Sequence, residues 1–378
     1  MKHPRPLGQR VIGIAVGVAT ALVVLSLLTP RLRGRGRTGP ILSESEGALR
    51  SIVIQYVADA SFAVSVYRQF LPALPANVVV HVVCPDEAAY QQLLAELPPV
   101  KCSLRPLLVH HPMTAWSRDR WALLRPGHAN GPVTLLYSRG EEAAASWPQR
   151  AGDERIAASI AGALAQQVES RPSSLFFDGG DFCTDDQAVV AIPRLVERNV
   201  QHTVQSKQEL QSVLAAELGR RIILLDDAPD HHAGMFMMLI GQQTALVGDP
   251  SLVKPLITPA VATALLDDPD YSAATQAKFD AVARQLEREG YSVVRIPTVA
   301  STDGKTYLTY LNGLIDCRDG RRAVYLPVYR GADAVNAAAA DVWRAMGFDV
   351  HPIDCTDVYR NFGTLHCLVN VLDRSAEK

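Results

Sequence analysis

Cys367 closes the stretch Phe362-Gly363-Thr364-Leu365-His366-Cys367, which sets a thiol beside an imidazole. Three polar clusters precede it: Trp116-Ser117-Arg118-Asp119, Asp178-Gly179-Gly180-Asp181 and Asp230-His231-His232-Ala233-Gly234-Met235. Each alone says little, since a lone cysteine ordinarily packs as a small apolar residue. Together they supply a nucleophile, an imidazole and carboxylates, the set that covalent attack on a cationic carbon requires. The carbon of a guanidinium is such a centre, planar, delocalised and poorly electrophilic. Carboxylates can hold its N–H groups in bidentate geometry. A thiolate can attack it, and an acid must protonate the departing amine.

In this order the four clusters resemble those of the guanidino-group-modifying superfamily of pentein fold, most closely its agmatine deiminase and arginine deiminase branches. The pattern there is an aromatic-X-Arg-Asp, a Glu-Gly-Gly-Asp-like element, a His-X-Asp-Met and a terminal His-Cys. The likeness spans roughly residues 50 to 372. It implies an α/β propeller of repeated ββαβ modules around a pseudo-fivefold axis. It also implies deiminase-type hydrolysis of a small cationic guanidino or amidino compound through a Cys thiouronium intermediate, without a cofactor. By the same resemblance Cys367 is the nucleophile, His232 the acid/base with His231 as the alternative register, and Asp119 and Asp178 the guanidinium carboxylates. Trp116 would wall the pocket. No metal is expected, because adjacent histidines such as His231-His232 rarely share one ion's geometry.

The chain departs from that pattern at three places. Asp178 stands where relatives carry the longer Glu, and Arg120-Trp121 follows Asp119 in place of a Gly-Pro-like turn. Gly234 occupies the position of the second carboxylate; Asp226, Asp227 and Asp230 are the nearest along the chain that could compensate. Other readings therefore stay open: a pentein that binds a ligand or protein without turnover, an amidinotransferase, or an unrelated cysteine protease, which explains only the Cys–His pair.

The elements that must position these residues alternate between strand and helix patterns, which argues for α/β architecture. The β-branched run 51–57 reads as a buried strand, 61–71 as a helix, 77–84 as a strand and 85–94 as a helix, followed by a strand over 102–109. Helices are predicted at 154–168, 207–218, 271–289 and 332–346, with extended stretches at 174–177, 222–225 and 292–296. Residues 306–311 and 323–328 read as strands paired around Asn312-Gly313, and Cys367 falls in a predicted strand over 365–371. No residue-level repeat is visible.

Residues 1–40 stand apart as a membrane anchor and basic linker, leaving 41–378 as one body. Val11 to Leu28 carries no charge and no proline. At about 1.5 Å per residue it is about 27 Å long as a helix, close to the hydrocarbon thickness. A single-pass anchor is expected there, with its orientation open because basic residues flank both sides. Of 37 Lys and Arg, seven lie in this segment; the remaining 30 face 39 Asp and Glu, a formal −9 for the body. An acidic body argues against a nucleic-acid partner. The six cysteines show no Cys-X-X-Cys spacing, which disfavours zinc ribbons and thioredoxin-type motifs.

Overall fold

Four times along the chain a strand turns back on a second strand, which then crosses over through helix to a parallel third, and the two ends of the body complete a fifth such set. The computed structural model describes residues 38–138, 150 and 152–375. Ala122–Leu124 pairs antiparallel with Val133–Tyr137, which runs parallel to Val168–Pro172 beyond the helix Ile156–Ala163. Phe182–Thr184, Ala188–Ala191 and Arg221–Leu224 repeat the pattern. So do Met237–Leu239, Thr244–Asp249 and Ser292–Pro297, and Leu314–Arg318, Arg321–Val328 and Phe348–Asp354. The remaining sheet joins the two ends of the body: Val369–Arg374 pairs antiparallel with Leu49–Gln55, which runs parallel to Val79–Cys84, itself parallel to Ser103–Leu108.

Hydrophobic patterning accounts for the module. Middle strands such as Ala188–Ala191 are buried throughout, as strands covered on both faces must be. The crossover helices turn one apolar stripe inward: Ala273–Arg288 buries Phe279, Val282, Ala283 and Leu286. Each fully buried side chain of this kind contributes about 1.5–3 kcal/mol. Capping starts the helices where expected. Asp86 accepts from the Ala89 N–H ahead of Glu87–Glu96, and Ser272 accepts from the Thr275 N–H ahead of Ala273–Arg288.

Two strand assignments change. Residues 174–177 form no strand, because their N–H groups are taken by side chains: Leu175 donates to Ser173 Oγ, Phe176 to Asn199 Oδ1 and Phe177 to Ser138 Oγ. Nor do residues 306–311 pair across Asn312-Gly313. Tyr307–Leu308 pairs with Val299–Ala300, and the hairpin to Arg321–Val328 turns instead at Asp319-Gly320, where φ is +53° and +73°. Successive positive φ values suit a tight hairpin.

The expected membrane location is corrected. Among the described residues no helix is long and apolar enough to cross a membrane. The proposed span 11–28 lies outside the described residues, so a single-pass anchor has no support in the structure and is withdrawn.

Candidate active site

Each module delivers one polar side chain from the turn that precedes its first strand. Asp119 ends the 3₁₀ turn Ser117–Asp119 ahead of Ala122–Leu124. Asp178 caps Gly179–Asp181 ahead of Phe182–Thr184, accepting from the Asp181 N–H while Asp181 accepts from its own. His232 precedes Ala233–Met235 and the strand Met237–Leu239. Asn312 precedes Leu314–Arg318. Cys367 lies in the 3₁₀ turn His366–Leu368 ahead of Val369–Arg374, not in the predicted strand. The turns at 117–119, 179–181, 233–235 and 366–368 pack in a connected series, which brings distant parts of the chain together.

One cavity of about 710 Å³ is lined by Trp116, Asp119, Arg150, Asp178, His232 and Cys367. His232 lies at its centre of charge: Nδ1 is 3.7 Å from Asp119 Oδ1, and Nε2 is 3.6 Å from Asp178 Oδ2 and 3.9 Å from Asp181 Oδ1. Burial alone would depress its pKa. The Asp119 charge, contacts with Asp178 and Cys367, and the Asp181 charge outweigh burial and hold it well above the ordinary 6.5. Burial likewise works against ionised Asp178, yet His232, Arg150 and Arg198 keep its carboxyl well below the usual range. His231 goes the other way, pushed down by burial and by the His232 charge. It is held at φ +85°, with Nδ1 accepting from the His232 N–H at 2.8 Å. Of the two histidines, therefore, His232 is the charged one at the carboxylates and His231 braces it.

Asn312 was not singled out from sequence. Its Oδ1 accepts from Thr364 Oγ1 at 2.7 Å, from the Cys367 N–H at 3.2 Å and from Cys367 Sγ at 3.3 Å. The same side chain fills the space beside Gly234, where an added Cβ would come within 2.9 Å of Asn312 Nδ2. The signal that finds it is positional, since it occupies the pre-strand turn that carries a polar group in the other four modules. Asn312→Ala is expected to lower kcat ten- to a hundredfold with little change in KM, because Cys367 loses its anchor. Leaving the Cys367 N–H unpaired should also cost about 1–3 kcal/mol, measurable by urea unfolding, while Asn312→Asp keeps the acceptor and recovers most of both.

Trp116 walls the cavity, stacked on Phe62 with ring centroids 5.5 Å apart. Its indole lies against Gly363, where a Cβ would come within 2.5 Å of the ring. Trp121 is wholly buried in the core and is not among the cavity-lining residues. Asp226, Asp227 and Asp230 line the outer cavity. Asp226 and Asp230 are exposed there and paired with Lys207 and Lys278. The additional carboxylate beside His232 is Asp181, fully buried, with Oδ1 lacking a hydrogen-bond partner. His366 turns away from the cavity toward Glu44, 3.8 Å distant. Asp178, Asp181 and His232 lie close enough to share an ion, but Arg150 and Arg198 already pair with those carboxylates.

The family model for Porphyromonas-type peptidyl-arginine deiminase matches residues 55–371. The chain belongs to that family. As a member of the Porphyromonas-type peptidyl-arginine deiminase family it is a deiminase-type hydrolase of C–N bonds. The fold agrees. An agmatine deiminase variant from C. Jejuni with substrate bound superposes with a TM-score of 0.67 at 14% identity, over 89% of this chain and 97% of that one. The agmatine deiminase of Enterococcus faecalis gives 0.64 at 16% identity, over 90% and 99%. At such identities the likeness shows the fold alone, an α/β pentein-like fold. No curated protein matches the chain.

Proposed function

We propose that the chain deiminates a small guanidino or amidino compound, with Cys367 as nucleophile, His232 as acid/base, and Asp119 and Asp178 holding the cationic group. The observation that carries this reading is the meeting of Cys367 and His232 with those two carboxylates in one cavity. In the proposed architecture the five sheets surround a pseudo-fivefold axis and the five pre-strand turns meet at it. Their shared hydrogen-bond pattern supports this.

The Cys367 thiolate would attack the guanidinium carbon, forming a C–S bond as one C=N pair withdraws onto nitrogen. Imidazolium His232 then donates its proton to the leaving nitrogen, and ammonia departs from the tetrahedral adduct to leave a covalent thiouronium. Neutral His232 next takes a proton from water as water's oxygen adds to the same carbon. Collapse breaks the C–S bond as the added hydroxyl releases its proton to solvent, returning the thiolate and a neutral ureido product. One water enters and one ammonia leaves per turnover. Asn312 would hold the Cys367 main chain in place through these steps by accepting from its N–H, and Trp116 would cover the planar group.

Incubation with agmatine, arginine, methylated arginines and arginyl peptides tests the reading. Ureido product and ammonia should appear in equal amounts with at least one of them. A new guanidine formed from an added amine would point to amidino transfer. No product with any of them, together with a Cys367 that reacts no faster than a free thiol, would leave ligand binding without turnover, the reading that Gly234 favours.

A further inference from the structure

The carboxylates assigned above to a substrate guanidinium already hold one. Arg150 Nη2 lies 3.0 Å from Asp178 Oδ1 and 3.7 Å from Asp119 Oδ2, and its Nε is 4.0 Å from Asp153 Oδ2. The side chain is 15% exposed and lines the same cavity as His232 and Cys367. Two other buried arginines serve the cluster differently. Arg120 donates to the Trp116 carbonyl and Thr114 Oγ1 and pairs with Asp153 at 3.0 Å. Arg198 pairs with Asp181 at 3.0 Å and Asp178 at 3.4 Å. Neither is among the cavity-lining residues.

We infer that Arg150 is a built-in competitor, whose guanidinium occupies the Asp119–Asp178 pair in the resting protein and which a guanidino ligand binds by displacing. The fit of Arg150 is incomplete in the way a displaceable occupant requires. Its Nε is buried without a hydrogen-bond partner, and so is Asp119 Oδ1. A saturated structural arginine would use its planar fork on both. Charge balance gives the same answer. Asp119, Asp153, Asp178 and Asp181 already face three guanidinium groups, those of Arg120, Arg150 and Arg198, with the His232 ring among them. A second mobile guanidinium added to that cluster would be a buried excess charge, which is heavily disfavoured. Exchange for Arg150 leaves the balance unchanged. Arg150 is therefore a specificity-determining residue. A ligand that offers only a guanidinium gains little by exchange, whereas one whose tail also fills the cavity gains contacts that Arg150 lacks.

The inference rests on Asp119 and Asp178 being the guanidinium site, and its test separates it from the turnover reading. Methylguanidinium binding is measured on the full chain by thermal shift and by protection of Cys367 from iodoacetamide, with methylammonium as the control. In Arg150→Ala the half-saturating methylguanidinium concentration should fall at least tenfold relative to wild type. The variant's lowered Tm should recover with methylguanidinium and not with methylammonium. Equal or weaker binding than wild type overturns the inference. If the alanine variant does not fold, Arg150→Lys keeps the charge and drops the fork; severalfold tighter binding is then expected, and no gain is again fatal. Ureido product from the wild type without tighter binding in the variants would sink the competitor and leave the deiminase reading standing. Tighter binding without product would do the reverse.

Discussion

Cys367→Ala should remove turnover altogether, with kcat falling by at least about 10⁴, the scale on which loss of a catalytic nucleophile is felt. Fold should be nearly untouched, because the sulfur faces the cavity and what is lost is its contacts with Asn312 Oδ1 and the His232 ring. The same experiment can be made selective by alkylation. All six cysteines are buried and free of disulfides. Burial pushes the Cys84 thiol up to about 11 and drives those of Cys102, Cys183 and Cys355 upward as well. Thiols held in that state react slowly. Of the six cysteines Cys367 alone lines the cavity, so one equivalent of iodoacetamide should label it first and abolish activity in proportion. Labelling elsewhere with activity lost, or labelling of Cys367 with activity retained, would refute the nucleophile assignment.

His232→Ala should lower kcat by about 10²–10⁴, the range supplied by a positioned proton donor. It should also cost about 3–5 kcal/mol of stability, since three buried carboxylates lose a shared cation. The sign of the pH dependence follows from the two shifted groups. The His232 pKa is raised, so its contribution is fully present below 6.5 and fades as pH rises through the higher folded value. That of Asp178 is depressed, so its contribution is present above 3.8 and fades only as pH falls through the lower folded value. From these two groups stability should be flat between 3.8 and 6.5 and should fall as pH rises from 6.5 through the higher folded value of His232, with the alkaline limb of kcat lying above 6.5. Asp119→Asn removes a charge that raises the imidazole, so that limb should move toward acid. An unmoved limb in this variant would remove His232 from the proton-transfer role.

What could be read from the sequence divides by how local the signal is. Asp119, Asp178, His232 and Cys367 were legible because each sits in a short polar motif that keeps its order along the chain. Asn312 was not, because Asn-Gly carries a strong hairpin signal of its own, and the true hairpin turn lies seven residues further on at Asp319-Gly320. Arg150 has no motif at all; its pairing with Asp178 spans 28 residues and exists only after folding. The repeated module, implied by the resemblance, left no residue-level repeat for a related reason. It is a repeat of backbone hydrogen bonds, satisfied equally by AVVA, TALVGD or RRAVYLPV, with crossovers of very different length between the strands. Asp181 bonds the Asp178 N–H and also places its other oxygen beside His232.

The pairing of Leu49–Gln55 with Val369–Arg374 sets when the protein can first work. Ile54 faces Val369 and Leu49 faces Arg374 across more than three hundred residues of intervening chain. Contacts so remote in sequence form late and slowly. During synthesis, which runs at roughly 5–20 residues per second, the four modules between these strands can close while the reactive sulfur is still unmade. On the proposed assignment, a nascent chain halted anywhere before Cys367 carries the carboxylates and imidazole but lacks the nucleophile. Catalytic competence arrives with the final strand, as one event, when the last part of the body to be translated pairs with the first.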